Sequence, residues 1–349
     1  MEAHYFSNKP HSMSKHDQRQ FTETFAELLG EKGMPTNQRN AELGAELVMR
    51  AGVPHKGGRL ALHAFNKGYP AMVSANAFWH PETRSFRFPE ATDLVETDFA
   101  LDSAGFTAMK LWQSRGKQTG MAGVFPWTYA QYLELAAISG ASWYSAPDMC
   151  CEPEVAANQA EIDFRIDATV TLLEGCLRIL YEWQNQLAKE CSATTVANMV
   201  RPPVPILQGW SANDYERSLE LTMRVWERWQ PWLDRPALIG IGSVCRRTLK
   251  HPSHGLYAIL NRLEGQIPDG SRAHLFGVKG AALNEIKMMP WIASADSMAY
   301  DFGARINARK AGISNTLDHR TKEMTDWMSA AARRMRPAAG DQYRLPLVV

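Results

Sequence analysis

Ala237-Leu238-Ile239-Gly240-Ile241-Gly242-Ser243 is an apolar run too short for a helix, and it stops on two small residues. A helical stretch follows at 255–263. After it come a second short run at 274–278, a helix at 281–288, and a third run at 292–295 that ends on Asp296. Short buried runs alternating with helices imply right-handed βαβ units and a parallel sheet.

Working outward toward the N-terminus, the same alternation continues. Apolar runs lie at 60–65, 71–75, 99–101, 142–145 and 204–207, and helical stretches at 128–138, 154–187 and 214–229. Eight candidate strands suggest an α/β fold of the (β/α)8 barrel type, with a doubly wound open sheet as the alternative. The first two runs also suit a hairpin capping the barrel. Ahead of them, Phe21, Phe25, Leu28 and Leu29 recur at helical spacing until Gly30 and Gly33-Met34-Pro35. A second helix is expected over 40–49. The expected organisation is therefore an N-terminal helical extension (1–58), the barrel (59–304) and a basic C-terminal helical segment (305–349).

The 349 residues carry 45% hydrophobic and 21% charged side chains, ordinary for a globular chain with a sizeable core. A formal net charge of +1 provides no global field, so any nucleic-acid surface must be a local patch. The five cysteines, with an adjacent pair and no spaced CxxC unit, argue against a disulfide framework and for a reducing compartment. They are read as free thiols. The N-terminus is polar up to Gln20, unlike a signal peptide, and no apolar run reaches membrane-spanning length. A cytoplasmic protein without membrane contact is the expectation.

Chemistry gathers where the strands end. Asp102, Asp148, Gln208, Gly242-Ser243, Gly277 and Asp296 each sit within a few residues of a run's end. In a parallel barrel those ends open on one face, so these residues converge there. Singly, each suits a turn or a helix cap. Together they describe a polar pocket. No P-loop, no GxGxxG opening a helix and no HExxH is present. Asp102 and Asp296 suit chemistry at a glycosidic carbon, one carboxylate attacking C1′ and the other moving protons. Spacing alone does not choose this over an aldolase or a sugar hydrolase.

Asp102-Ser103-Ala104-Gly105-Phe106 resembles the DSGGF/Y motif of the tRNA-guanine transglycosylases. The match is closer to their relatives, the 7-deazapurine DNA transglycosylases of the DpdA type. Five further blocks agree: Pro147-Asp148-Met149-Cys150-Cys151-Glu152-Pro153, Leu207-Gln208-Gly209-Trp210, Gly240-Ile241-Gly242-Ser243-Val244-Cys245-Arg246-Arg247, His274-Leu275-Phe276-Gly277-Val278-Lys279 and Ser294-Ala295-Asp296-Ser297-Met298.

The resemblance implies a DNA-guanine transglycosylase, a pentosyltransferase that exchanges guanine in DNA for 7-cyano- or 7-aminomethyl-7-deazaguanine through a covalent aspartyl intermediate. It makes Asp296 the nucleophile and Asp102 the general base. Asp148 and Gln208 would read the purine edge, helped by the backbone of Gly242 and Ser243, while Phe106 and Phe276 would sandwich the base. DNA and the free deazaguanine base are the implied partners, with helper proteins an open matter. No cofactor is implied, because one N-glycosidic bond replaces another. A bacterial cell or its phage is the implied setting, and protection of DNA from restriction the implied purpose.

The tRNA enzymes carry a zinc site of three cysteines and a histidine beyond the nucleophile. Here no cysteine follows Cys245 and only His319 lies past Asp296, so no metal is expected. Ala104 replaces a glycine of the tRNA enzymes. Phosphate contacts are expected from Arg246 and Arg247 past a strand end, and from Arg333, Arg334 and Arg336. These last three lie in a stretch, 305–336, with eight Lys/Arg against three Asp/Glu. The rival readings are a tRNA-guanine transglycosylase, a non-catalytic nucleic-acid-binding barrel whose mouth carboxylates would repel phosphate, and a small-molecule lyase or aldolase built on Lys279.

Overall fold

In the computed structural model, residues 44, 46–54, 59–89, 92–230 and 232–338 are described. The helix expected at 21–29 lies outside them. The first strand, β1 (Val48–Gly52), is followed by α1 (Arg59–Lys67) and β2 (Ala71–Ser74). Two of the expectations are corrected here. The end of the stretch expected as a helix at 40–49 belongs to β1, and the run at 60–65 is the helix α1.

The reasons are physical. Leu60, Ala61 and Ala64 fall on one helical face and are buried, while Leu62 and Phe65 point outward. β1 reads Val-Met-Arg-Ala-Gly, and its central Arg50 breaks the apolar pattern although it is completely buried. The sheet thus begins inside the stretch expected as an extension.

A short antiparallel hairpin, β3 (Trp79–His80) and β4 (Ser85–Phe86), stands where a helix would follow β2. Its Trp79 and Phe86 rings pack on Trp127 at 5.4 and 5.1 Å. The chain then runs through β5 (Phe99–Asp102), α2 (Gly105–Arg115), α3 (Tyr129–Ile138), β6 (Trp143–Tyr144), α4 (Gln159–Leu187), α5 (Ala193–Met199), β7 (Ile206–Leu207), α6 (Ala212–Trp229) and β8 (Leu238–Ile241). It ends with α7 (Leu256–Leu263), β9 (Arg272–Leu275), α8 (Leu283–Ile286), β10 (Ile292–Ser297), α9 (Ala299–Ala311) and α10 (Leu317–Met335).

Eight strands form one parallel sheet in the order β6-β5-β2-β1-β10-β9-β8-β7. Its two outer strands meet through a parallel bridge between Ser145 and Val204, where Val204 N donates to Tyr144 O and Ala146 N to Val204 O, both at 2.8 Å. Each strand therefore lies beside its successor in the chain and the sheet curls into a (β/α)8-type barrel. Rings fill its interior, with Trp143, His274 and Phe276 meeting edge to face at 4.6–6.3 Å. The C-terminal stretch is two helices. α10 packs on α1, β1 and α8 and buries Met324, Met328 and Ala331, so it is a wall of the barrel. Among the described residues no helix is long and apolar enough to cross a membrane.

Candidate active site

The strand ends bring Asp102, Asp148, Gln208, Ser243 and Asp296 to one face. Asp102 closes β5, in register with Ser74 at the end of β2. Ser74 Oγ donates to its Oδ2 at 2.9 Å, and the Ala104 amide donates to the same oxygen at 3.1 Å. Burial pushes the Asp102 carboxyl up to about 7, reinforced by the charges of Asp148 and Asp296 and opposed by these hydrogen bonds. Half-protonated near neutrality, it can both give and take a proton.

Asp148 follows β6 and is buried. Ser103 Oγ donates to Oδ1 at 2.7 Å, Cys150 Sγ approaches Oδ2 at 3.6 Å, and Gln208 Nε2 donates to Oδ2. Burial raises this carboxyl too, against those hydrogen bonds. Two glycines make room for the pair. A Cβ on Gly105 would lie 2.6 Å from the Asp148 carboxylate, and one on Gly242 would lie 2.3 Å from Gln208 Nε2. Ala104 adopts φ 67°, ψ 31°, a left-handed conformation that costs a non-glycine residue about 1–2 kcal/mol.

Asp296 sits in β10, where Gly277 N donates to its Oδ1 at 2.8 Å. His274 Nε2 lies 3.4 Å from the same oxygen, fully buried and without a hydrogen-bond partner, while Nδ1 meets Ser294 Oγ at 2.7 Å. The sequence reading missed this histidine. A lone polar residue inside an apolar run carries no signal of what lies across the barrel. It also missed Ser74, Ser103 and Glu152. All but Ser74 stood in quoted motifs, and the buried carboxylate of Glu152 receives Ser243 Oγ at 2.9 Å.

Other expected residues have different surroundings. Phe276 is packed edge-on against Trp143 and His274, whereas Phe106 carries the cations of Lys110 and Arg246 over its ring at 5.8 and 6.0 Å. Gly242 donates its N–H to Leu207 O at 2.9 Å and accepts from Tyr215 Oη at 2.7 Å. Its backbone is thus largely engaged, and Ser243 joins the site through its side chain.

Arg247 is a correction. An arginine has five N–H donors, and here they meet the carbonyls of Ser243, Trp210, His254 and Gly209 and the Tyr215 hydroxyl. The guanidinium also stacks 4.0 Å above Trp210. Buried and saturated, it holds loops together and has no donor left for phosphate. Arg246 is exposed at φ 59°. Arg333, Arg334 and Arg336 close α10, where the Arg336 carbonyl accepts from Lys287 Nζ at 2.9 Å, five residues before β10 begins. A Cβ on Gly280, in the segment that leaves the end of β9, would lie 2.8 Å from Arg334 Nη1, so these arginines line the flank where α10 packs on that segment.

Cys150 lies against Asp148, Cys151 is buried beside the Met149 carbonyl, and Cys245 is exposed next to Gly277. Among the described residues no three His, Cys, Asp or Glu are grouped to hold a metal ion.

The sequence pattern of the DpdA family, DeoxyPurine in DNA protein A, matches residues 68–346. The chain belongs to the DpdA family. Comparison with curated proteins found no match. The DpdA match starts just before β2 and takes in every carboxylate of the mouth, leaving β1 and α1 ahead of it. As a DpdA-family member the chain is a transglycosylase of DNA modification. The six sequence blocks that suggested the family lie inside the matched span and supply the site's carboxylates, Gln208 and Ser243.

Proposed function

We propose that this chain exchanges guanine in DNA for a 7-deazaguanine carrying a 7-cyano or 7-aminomethyl group. The observation that carries the reading is the pairing of two unlike carboxylates at one mouth. Asp296 has one oxygen held by the Gly277 amide, and Asp102 is raised to about 7. Asp296 attacks C1′ of a guanosine, the C1′–N9 bond breaks, and Asp102 gives its proton to the departing guanine. The incoming base then returns a proton from N9 to Asp102, N9 bonds to C1′, and Asp296 leaves. Bonds and protons balance, so the exchange needs no redox or nucleotide cofactor.

Asp148 accepts from the donor edge of the purine, with Gln208 behind it. A duplex hides both C1′ and the base, so the target nucleoside is flipped out or already single-stranded. Arg246, exposed beside Phe106, is the candidate for phosphate contact at the mouth.

Asp296→Asn is nearly isosteric and should lower exchange by about four orders of magnitude, as removal of a nucleophile does. Incubation with labelled guanine and either genomic DNA or bulk tRNA measures it. Wild type should label DNA and form a denaturant-resistant protein–DNA adduct that Asp296→Asn lacks. An adduct persisting in Asp296→Asn would move the nucleophile elsewhere, and label entering only tRNA would overturn the DNA assignment.

A further inference from the structure

The Ser243 hydroxyl faces three partners. The Cys151 backbone N–H reaches it at 2.7 Å, Gln208 Oε1 lies at 2.5 Å and Glu152 Oε2 at 2.9 Å. A serine hydroxyl donates one hydrogen bond and accepts two. The Cys151 amide fills one acceptor position, and the single serine proton serves one of the two remaining oxygens. The other oxygen must bring its own proton, or two lone pairs meet in a buried site.

An amide oxygen cannot carry that proton at ordinary pH, so it belongs to a carboxyl. Two places along the chain can hold it. Either Glu152 is a neutral acid donating to Ser243 while Gln208 Nε2 donates to Asp148, or Asp148 is protonated and the Gln208 amide is turned round. Donors decide between them. Whichever way the Gln208 amide points, Asp148 receives Ser103 Oγ, Cys150 Sγ and its own backbone amide, three groups that favour the anion. Among the described residues Glu152 receives only Ser243 and its own backbone amide. Burial raises the Glu152 carboxyl, against those two hydrogen bonds, with the charge of Asp148 adding and that of Arg247 opposing.

We propose that Glu152 is a positioning residue: a neutral acid at the far end of the chain Glu152–Ser243–Gln208–Asp148. Its proton fixes the Gln208 amide in the one orientation that leaves Asp148 an ionised acceptor for the base. The role of the base rests on the exchange reading above. The place of the proton rests on hydrogen-bond accounting alone. Glu152 faces Asp148, Cys150 and Cys151 on its own loop, Arg165 of α4, Tyr215 of α6, and Cys245 and Arg247 after β8. Its ionisation adds a buried negative charge beside Asp148 and withdraws the donor from Ser243. Base binding therefore falls as pH rises through the Glu152 pKa.

Infrared difference spectra of wild type against E152Q test the proton, and equilibrium dialysis of labelled guanine tests the consequence. Glutamine supplies an N–H where the neutral acid supplied its O–H. Over the Asp102 acid band that both proteins share, the difference should show one protonated-carboxyl C=O stretch that wild type has and E152Q lacks. Wild type should lose about tenfold in guanine affinity, the worth of one buried hydrogen-bond arrangement, across the alkaline limb where E152Q stays level. E152A should bind more weakly than E152Q at every pH. The absence of any acid band lost between wild type and E152Q, or E152Q losing affinity at neutral pH as E152A does, would overturn the proposal. If the band behaves as expected while no variant binds guanine, the proton assignment stands and the base-exchange reading falls.

Discussion

The two ends of the barrel treat buried charge in opposite ways. At the foot, where strands begin, Arg50 lies inside the wall at 0% exposure and donates to both carboxylate oxygens of Asp98 at 3.1 and 3.4 Å. It also donates to the Ala71 and Asp98 carbonyls, and its guanidinium stands 5.7 Å from the Trp143 ring. At the mouth, Asp102, Asp148 and Glu152 have no ion pair among the described residues, and Asp296 has only His274 at 3.4 Å. Paired charge locks a structure. Carboxylates crowded together without cations destabilise it, and the excess is available for chemistry.

Removing one charge from the mouth should give the largest effect on stability. The Asp102 pKa is raised from 3.8 to about 7 in the folded state, so folding takes up a proton. That contribution is complete below the ordinary carboxylate range and is lost as pH rises through about 7. Asp102→Asn should therefore stabilise the fold above that pH by up to about 4 kcal/mol while losing exchange activity, and should match wild type in acid. Denaturant melts at several pH values measure this. Equal stability at high pH would show that the mouth carries no such cost.

The converse belongs to the foot. Arg50→Met strands Asp98 beside a partly buried wall and should cost about 3 kcal/mol of unfolding free energy, read from a denaturant melt. A neutral result would mean that the foot is no more optimised than the mouth. The smallest effect concerns the rim. Arg246→Ala should weaken DNA binding alike across sequences and reduce the slope of log affinity against log salt by about 1, with stability unchanged. An unchanged slope would place the phosphate contacts elsewhere.

These contrasts explain what the sequence could and could not tell. Asp102, Asp148, Gln208 and Asp296 were legible because each closes an apolar run, and a parallel barrel sends all such positions to one face. β1 was not, because an arginine in mid-strand reads as surface until Asp98, far along the chain, supplies its partner. Arg246 and Arg247 look equivalent as neighbours. Only the carbonyls of loops after β7 and β8 show that one is spent inside and the other is open. His274 and Glu152 lacked any periodic signal, since their meaning lies across the barrel and not along the chain.

The ring closes through one bridge between Ser145 and Val204, beside two strands of only two residues each. Two backbone hydrogen bonds, from Val204 N to Tyr144 O and from Ala146 N to Val204 O, hold that joint. Asp148 lies just beyond one lip of this joint and Gln208 just beyond the other. Their hydrogen bond is therefore a clasp across the seam. Asp296, on the six-residue β10, stands three strands from β7, whereas Asp102 closes β5 directly beside β6, so the two carboxylates lie at unequal distances from the seam.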